Sequence, residues 1–181
     1  QIVNKGPITI AKYMEEALGH PRLGYYMSED PLGLSGDFIT APEISQMFGE
    51  LIGLWCGVQW KTMGEKEPFN LIELGPGRGT LMADILRAGQ GVDGFLESLV
   101  ISLVEISPVL KGIQEETLLS SIGREVRRTR ALSWVGQFSD TPDGPFALVA
   151  NEFIDVLGIR QFQKTIKGWR ERLVDVSESD P

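Results

Sequence analysis

The chain has 181 residues, about one domain on the usual prior, and 17 Lys and Arg against 25 Asp and Glu give it a net charge of −8. That balance argues against a general nucleic-acid or membrane-surface binder, because phosphate contacts need clustered basic side chains. A single cysteine, Cys56, rules out an internal disulfide, and together with the lone His20 it cannot build a Cys/His metal cluster. No metal site and no membrane span are therefore expected, since no apolar run reaches the roughly 18 residues a span needs.

In chain order, Ile10, Tyr13, Met14, Ala17 and Leu18 recur at helical spacing and predict a helix over 8–18. Residues 19–40 are rich in Gly, Pro, Asp and Ser and read mostly as loop. Thr40-Ala41-Pro42-Glu43 has the form of a capping box that opens a second helix. Ile44, Met47, Phe48, Leu51, Trp55 and Val58 form its apolar stripe, which reads as core. Cys56, among apolar neighbours, reads as a buried small hydrophobe.

From Phe69 the pattern alternates. Strands are predicted over 69–74, 99–104, 131–135 and 146–150, and helices over 80–88 and from Ser107-Pro108 to about Leu119. Such a β-α-β-α order implies a parallel sheet with right-handed crossovers and helices on both faces. Beyond Leu157, residues 160–166 and 169–176 read as two strands joined at Lys167-Gly168, a hairpin rather than another βα unit. Arg124, Arg127, Arg128 and Arg130 form a small basic cluster that reads as solvated surface.

Glu73-Leu74-Gly75-Pro76-Gly77-Arg78-Gly79-Thr80 carries the strongest chemical signal. It follows a strand and opens a helix, where glycines admit a ligand close to the backbone and free N–H groups favour an anionic group. A dinucleotide fingerprint is disfavoured, because counting from Gly75 its third glycine falls on Thr80. One βα unit later, Glu105 stands at the end of a strand, where a carboxylate can accept two hydrogen bonds from ribose hydroxyls. An exposed acid favoured by the helix dipole is the other reading of Glu105. Asn151, Glu152 and Asp155 follow the fourth strand, at the end where open α/β sheets bind ligands, and read either as substrate contacts or as a polar loop cap.

The E-x-G-x-G-x-G pattern resembles the first motif of class I methyltransferases. With Gly36-Asp37-Phe38-Ile39-Thr40-Ala41-Pro42-Glu43-Ile44-Ser45-Gln46-Met47-Phe48-Gly49, Gly6-Pro7-Ile8-Thr9, Gly24-Tyr25-Tyr26 and the hairpin, the chain resembles the MidA-like family of S-adenosylmethionine-dependent methyltransferases, which includes a mitochondrial complex I assembly methyltransferase. It departs from the family at Ile154 and Gly158.

The resemblance implies a class I, Rossmann-like α/β fold, here incomplete, and S-adenosylmethionine as cofactor. It implies that Glu73 faces the cofactor's amino group and that Gly75, Gly77, Gly79 and Thr80 face its methionine portion. Glu105 then holds the ribose, and Asp37 joins the cofactor site. The implied activity is protein arginine N-methylation of a respiratory complex I subunit, in the mitochondrial matrix for a eukaryotic chain and in the cytoplasm for a bacterial one. A guanidinium acceptor needs carboxylate partners; Glu152 and Asp155, with Asn151, are the candidates, followed by Asp37 and Glu43. The expected organisation is an N-terminal extension over 1–64 covering the cofactor site, a core over 65–158 and the hairpin over 159–181. Two other readings stay open: a cofactor-binding scaffold without turnover, and a nicotinamide-dependent oxidoreductase.

Overall fold

The computed structural model describes residues 2–28, 37 and 39–177. The main elements in chain order are β1 (Ile8–Thr9), α1 (Ile10–Gly19), α2 (Gln46–Thr62), β2 (Phe69–Leu74), α3 (Thr80–Gly89), β3 (Leu99–Val104), α4 (Pro108–Val126), β4 (Ala131–Val135), β5 (Phe146–Val149), β6 (Phe162–Thr165), β7 (Gly168–Glu171) and β8 (Leu173–Val174). Two compact units form, one from 2–28 with 154–177 and one from the described residues between 37 and 153.

The larger unit is an α/β layer structure. Its four-stranded parallel sheet has the order β4-β3-β2-β5. β2 and β3 are central and almost wholly buried, which is why they read as continuous apolar runs. Successive strands run outward from β2 to β4, and β5 then returns to the other side of β2. The chain thus switches direction between β2 and β5, and ligands of open α/β sheets bind beyond the carboxyl ends of the strands at such a point. The core gathers Leu71, Ile85, Leu86, Leu96, Ile101 and Leu103 around the aromatic cluster of Trp60, Phe69 and Phe95. Cys56 belongs to it and is fully buried.

Three expectations change in this unit. The helix from Thr40 is broken: a turn over Ala41–Ile44 is separated from α2 by Ser45, which has extended backbone. Thr40 makes no side-chain cap bond, so the capping box does not form. Most of the stripe read as core faces outward, with Ile44, Met47, Leu51, Trp55 and Val58 between 56% and 73% exposed, and of its members Phe48 packs against the core. α2 instead packs on α3 through Gly49 and Gly53, where an added Cβ would lie 2.5 Å from Asp84 Cβ and 2.5 Å from the Ile85 carbonyl oxygen, and one on Gly57 would lie 2.8 Å from Val92 just past α3. The glycines let the two helices approach more closely than any side chain allows. The helix after Ser107 does begin as expected, with the Ser107 hydroxyl accepting from Leu110 N–H, and it continues to Val126 past a kink at Ile122.

In the smaller unit the expected first helix starts at Ile10, because Ile8–Thr9 pairs antiparallel with β8 and Thr9 becomes the N-cap. Within 19–40, Tyr25–Ser28 is a helical turn, while 29–36 and 38 lie outside the described residues. The hairpin forms as β6 and β7 around a two-residue turn, with Gly168 at φ 91°. Its second strand ends at Glu171, and Leu173–Val174 pairs with β1 instead.

The α2 packing makes a stability prediction. Alanine at Gly53 gains about 1 kcal/mol of helix propensity but forces backbone apart at Ile85. Gly53→Ala should therefore lose on the order of 1–2 kcal/mol net, whereas Leu51→Ala on the exposed face should stay within about 0.5 kcal/mol. Thermal unfolding followed by circular dichroism measures both; equal melting temperatures would contradict the packing.

Candidate functional site

β2 delivers Glu73 to the carboxyl end of the sheet and the chain turns at once into α3. Gly75, Gly77 and Gly79 all lie in left-handed backbone, with φ of 62°, 55° and 83°. Side chains resist that region, which explains glycine at all three positions. The turn is also crowded. A Cβ on Gly75 would lie 2.6 Å from the Phe153 ring, and one on Gly79 would lie 3.2 Å from Gln114 Cα. Gly79 is the N-cap of α3 and brings no side-chain acceptor. The first N–H groups of α3 are then left for a ligand, with the positive end of the helix dipole behind them.

Two acids flank this turn in different states. Glu73 is 2% exposed, and its Oε2 has no hydrogen-bond partner in the protein. Burial pushes its carboxyl up to about 8, so it is mostly protonated at neutral pH. Glu105 is also buried but tethered. Its Oε1 accepts from the N–H groups of Ile106 at 2.8 Å and Ser107 at 2.7 Å, and its Oε2 accepts from Gln114 Nε2 at 3.1 Å. Burial raises the Glu105 pKa, opposed by those three bonds and by the charge of Lys111. The exposed-acid reading of Glu105 therefore does not hold. A carboxylate has about four lone-pair sites, so three protein bonds leave one on Oε2 for a ligand, rather than the two expected for a bidentate contact.

The remaining candidates are dispersed. Thr80 donates its hydroxyl to Glu43 Oε1 at 2.5 Å, pinning the 41–44 turn to the start of α3. Glu43 is thereby engaged with Thr80 in place of a capping box. Asp37 is exposed. Asn151 and Glu152 form a turn just past the end of β5, with Asn151 half-buried and Glu152 exposed and at φ 48°, a strained conformation for a side-chain-bearing residue. The next residue, Phe153, packs on Gly75. Asp155 belongs to the smaller unit, where burial and then its charge raise the pKa of Tyr26. The carboxylates of Glu152 and Asp155 are thus parts of different units.

Gln114 and Phe153 were not singled out from sequence. Gln114 donates to the Gly77 carbonyl at 2.8 Å and accepts from Trp134 Nε1 at 2.8 Å. A glutamine within a long helix reads as solvated surface, and only the fold shows it to be fully buried. Among the described residues, no group of three or more His, Cys, Asp or Glu could hold a metal ion, and no helix is long and apolar enough to cross a membrane.

The set fits a cofactor that combines a cation with hydroxyls. Glu73 Oε2 is an orphaned buried acceptor that a cationic group would satisfy, Glu105 keeps one acceptor direction, and the glycine turn is open to backbone approach. Fold and turn together define the Rossmann-like α/β fold of class I methyltransferases. Residues 51–181 match the family described as "Putative S-adenosyl-L-methionine-dependent methyltransferase", and the chain belongs to that family. It is 46% identical to the mouse (Mus musculus) protein named "Protein arginine methyltransferase NDUFAF7, mitochondrial", over 97% of this chain and 44% of that one. The Danio rerio protein of the same name is 43% identical over 100% of this chain and 46% of its own length. A crystal structure of a "likely methyl transferase" from Burkholderia thailandensis bound to S-adenosyl-homocysteine superposes with a TM-score of 0.80 at 29% identity, over 98% of this chain and 45% of that one. The chain therefore spans slightly less than half the length of these relatives.

Glu73 sets a pH dependence. Its folded pKa of about 8 lies above the ordinary 4.5, so the folded state keeps a proton that the unfolded chain loses across that window. The contribution is fully favourable below about pH 4.5 and is lost as pH rises through 8. Glu73→Gln should remove this slope, leaving the variant more stable than the parent by a few kcal/mol, on the order of 1.4 per pKa unit, at pH 8 and close to it at pH 5. Urea denaturation of both proteins from pH 5 to 8 checks it; a parent-minus-variant difference that does not change with pH contradicts the assignment.

Proposed function

We propose that this chain is the cofactor-binding part of an S-adenosylmethionine-dependent protein arginine N-methyltransferase whose acceptor is a respiratory complex I subunit. The observation that carries the reading is the buried, unpartnered Glu73 carboxyl beside three left-handed glycines at the β2/β5 switch point. The relatives' printed names support arginine as the acceptor side chain and a protein as the substrate. The eukaryotic relatives are named mitochondrial; the proposed location is the mitochondrial matrix for a eukaryotic chain and the cytoplasm for a bacterial one.

When bound, S-adenosylmethionine supplies an activated methyl group on a sulfonium. The protein's share is binding and orientation for an in-line displacement. Glu73 would face the cofactor's amino group, and a cation there favours the ionised carboxylate, so binding at neutral pH would displace the Glu73 proton. The backbone of Gly75, Gly77, Gly79 and Thr80 would face the methionine portion, Glu105 would accept from a ribose hydroxyl, and Asp37 would join the cofactor site. Glu152, with Asn151, would receive the acceptor guanidinium, whose planar fork suits carboxylates, and Asp155 of the smaller unit is a separate candidate for the same role. Glu43, already bonded to Thr80, ranks behind them.

Two binding results and one activity result test this. Gly77→Val should abolish S-adenosylmethionine binding in calorimetry while the circular dichroism spectrum stays that of the parent. Glu105→Ala should weaken binding by about 2 kcal/mol, roughly 30-fold. Unchanged affinity in both variants would remove the cofactor assignment. Glu152→Gln should cut labelled methyl transfer to complex I subunits at least about tenfold while cofactor affinity stays within about twofold. An equal fall in cofactor affinity would move Glu152 into the cofactor site, and cofactor binding without transfer by the parent would favour an assembly scaffold.

A further inference from the structure

Gln114 is fully buried on α4, and its carboxamide reaches three separate elements. Nε2 donates to the Gly77 carbonyl at 2.8 Å and to Glu105 Oε2 at 3.1 Å, and Oε1 accepts from Trp134 Nε1 of β4 at 2.8 Å. Chemistry fixes this orientation. An indole nitrogen can only donate, and a carbonyl and a carboxylate only accept. Reversing the amide would set donor against donor at Trp134 and oxygen against oxygen at both other partners. The glycine turn is seated on the same residue, since a Cβ on Gly79 would lie 3.2 Å from Gln114 Cα.

We infer that Gln114 is a positioning residue of the cofactor site, coupling the glycine turn to Glu105 and held in register by Trp134. Both Nε2 protons are used: one fixes the Gly77 peptide, and the other fixes the rotation of the Glu105 carboxylate. With Oε1 of Glu105 held by two backbone N–H groups and one lone pair of Oε2 by Gln114, a single acceptor direction remains. Gln114 thereby decides where that direction points, without touching a ligand itself. Trp134 acts one step further out, because its N–H keeps the amide from reversing.

The inference rests on the cofactor reading above, and the experiment separates the two. S-adenosyl-homocysteine is titrated calorimetrically into the parent chain, Gln114→Met, Trp134→Phe and the double variant. Methionine keeps the shape and loses both donors. Gln114→Met should bind about tenfold or more weakly, and Trp134→Phe about threefold more weakly. The losses should not add: with Met at position 114, the Trp134 change should cost less than about twofold, because the relay is already cut. A nitrogen-15 spectrum supplies a readout beyond affinity: the Trp134 indole N–H signal should shift in Gln114→Met with no ligand present. A merely structural Gln114 would give losses that multiply. Multiplying losses, or Gln114→Met affinity within twofold of the parent, overturn the inference while leaving the cofactor reading intact. If the parent itself does not bind, the cofactor reading fails and the inference falls with it. Should Gln114→Met not fold, Trp134→Phe alone decides, with parent-like affinity the overturning result.

Discussion

Everything at the site depends on one backbone constraint, the left-handed turn between β2 and α3. β2 is buried along nearly its whole length, so its end cannot wander, and only five residues, 75–79, separate it from the start of α3 at Thr80. Only glycine bridges that gap at low cost at Gly75, Gly77 and Gly79. The functional properties follow from the same geometry. An N-cap without a side chain leaves the first N–H groups of α3 unclaimed, Phe153 can close on Gly75 because no Cβ intervenes, and Gln114 can seat the end of the turn. The glycines are therefore structural and functional for one reason, the absence of a side chain where strand, helix and ligand converge.

Glu73 and Glu105 stand at neighbouring strand ends, and both are buried, yet they are different reagents. No donor reaches Glu73 Oε2, so water exclusion acts unopposed and the carboxyl holds its proton near neutrality. Glu105 has three donors, which favour the charged form against the same desolvation. The first is poised to meet a cation, because an opposite charge there would make its ionisation favourable. The second is poised as an oriented acceptor for a neutral hydroxyl. A ligand carrying both groups meets complementary sites held apart by a rigid glycine turn.

The parts of this picture that were legible in sequence are those set by local rules. Buried parallel strands must be apolar along their length, so β2 and β3 announce themselves, and Ser107-Pro108 marks the start of α4 by capping chemistry. The methyltransferase class was legible because strand, glycines and acid are contiguous. Misreadings came where packing reversed a local rule. α2 has a large apolar stripe and a small glycine stripe, and the usual preference buries the large one; here helix proximity at Gly53 buries the small one. Thr40 and Glu43 have capping-box spacing, but Thr80, 37 residues away, takes the Glu43 carboxylate. The β1/β8 pairing and the Gln114 network are long-range and leave no periodic trace. Polar residues buried for the sake of a network look, in sequence, like polar residues on a surface.

The distribution of strain tells the same story from the energetic side. The three left-handed glycines, the uncompensated Glu73 carboxyl and the positive φ of Glu152 all disfavour folding. All lie at the carboxyl end of β2 or just past the end of β5. Away from that edge the sheet is conventional: β2 and β3 pair in uninterrupted register, and the aromatic cluster of Trp60, Phe69 and Phe95 fills the core beneath α2. Costs of roughly 1–3 kcal/mol each persist only where surrounding structure over-determines them. The well-packed body of the sheet supplies that surplus, which also covers the unpartnered Asn70 Oδ1 near the start of β2 and Ser102 Oγ on β3. A structural turn would gain nothing by keeping a buried acid without a partner, since Gln in its place would relieve the penalty. The persistence of Glu73 beside these glycines is therefore an argument for a ligand that supplies the missing charge.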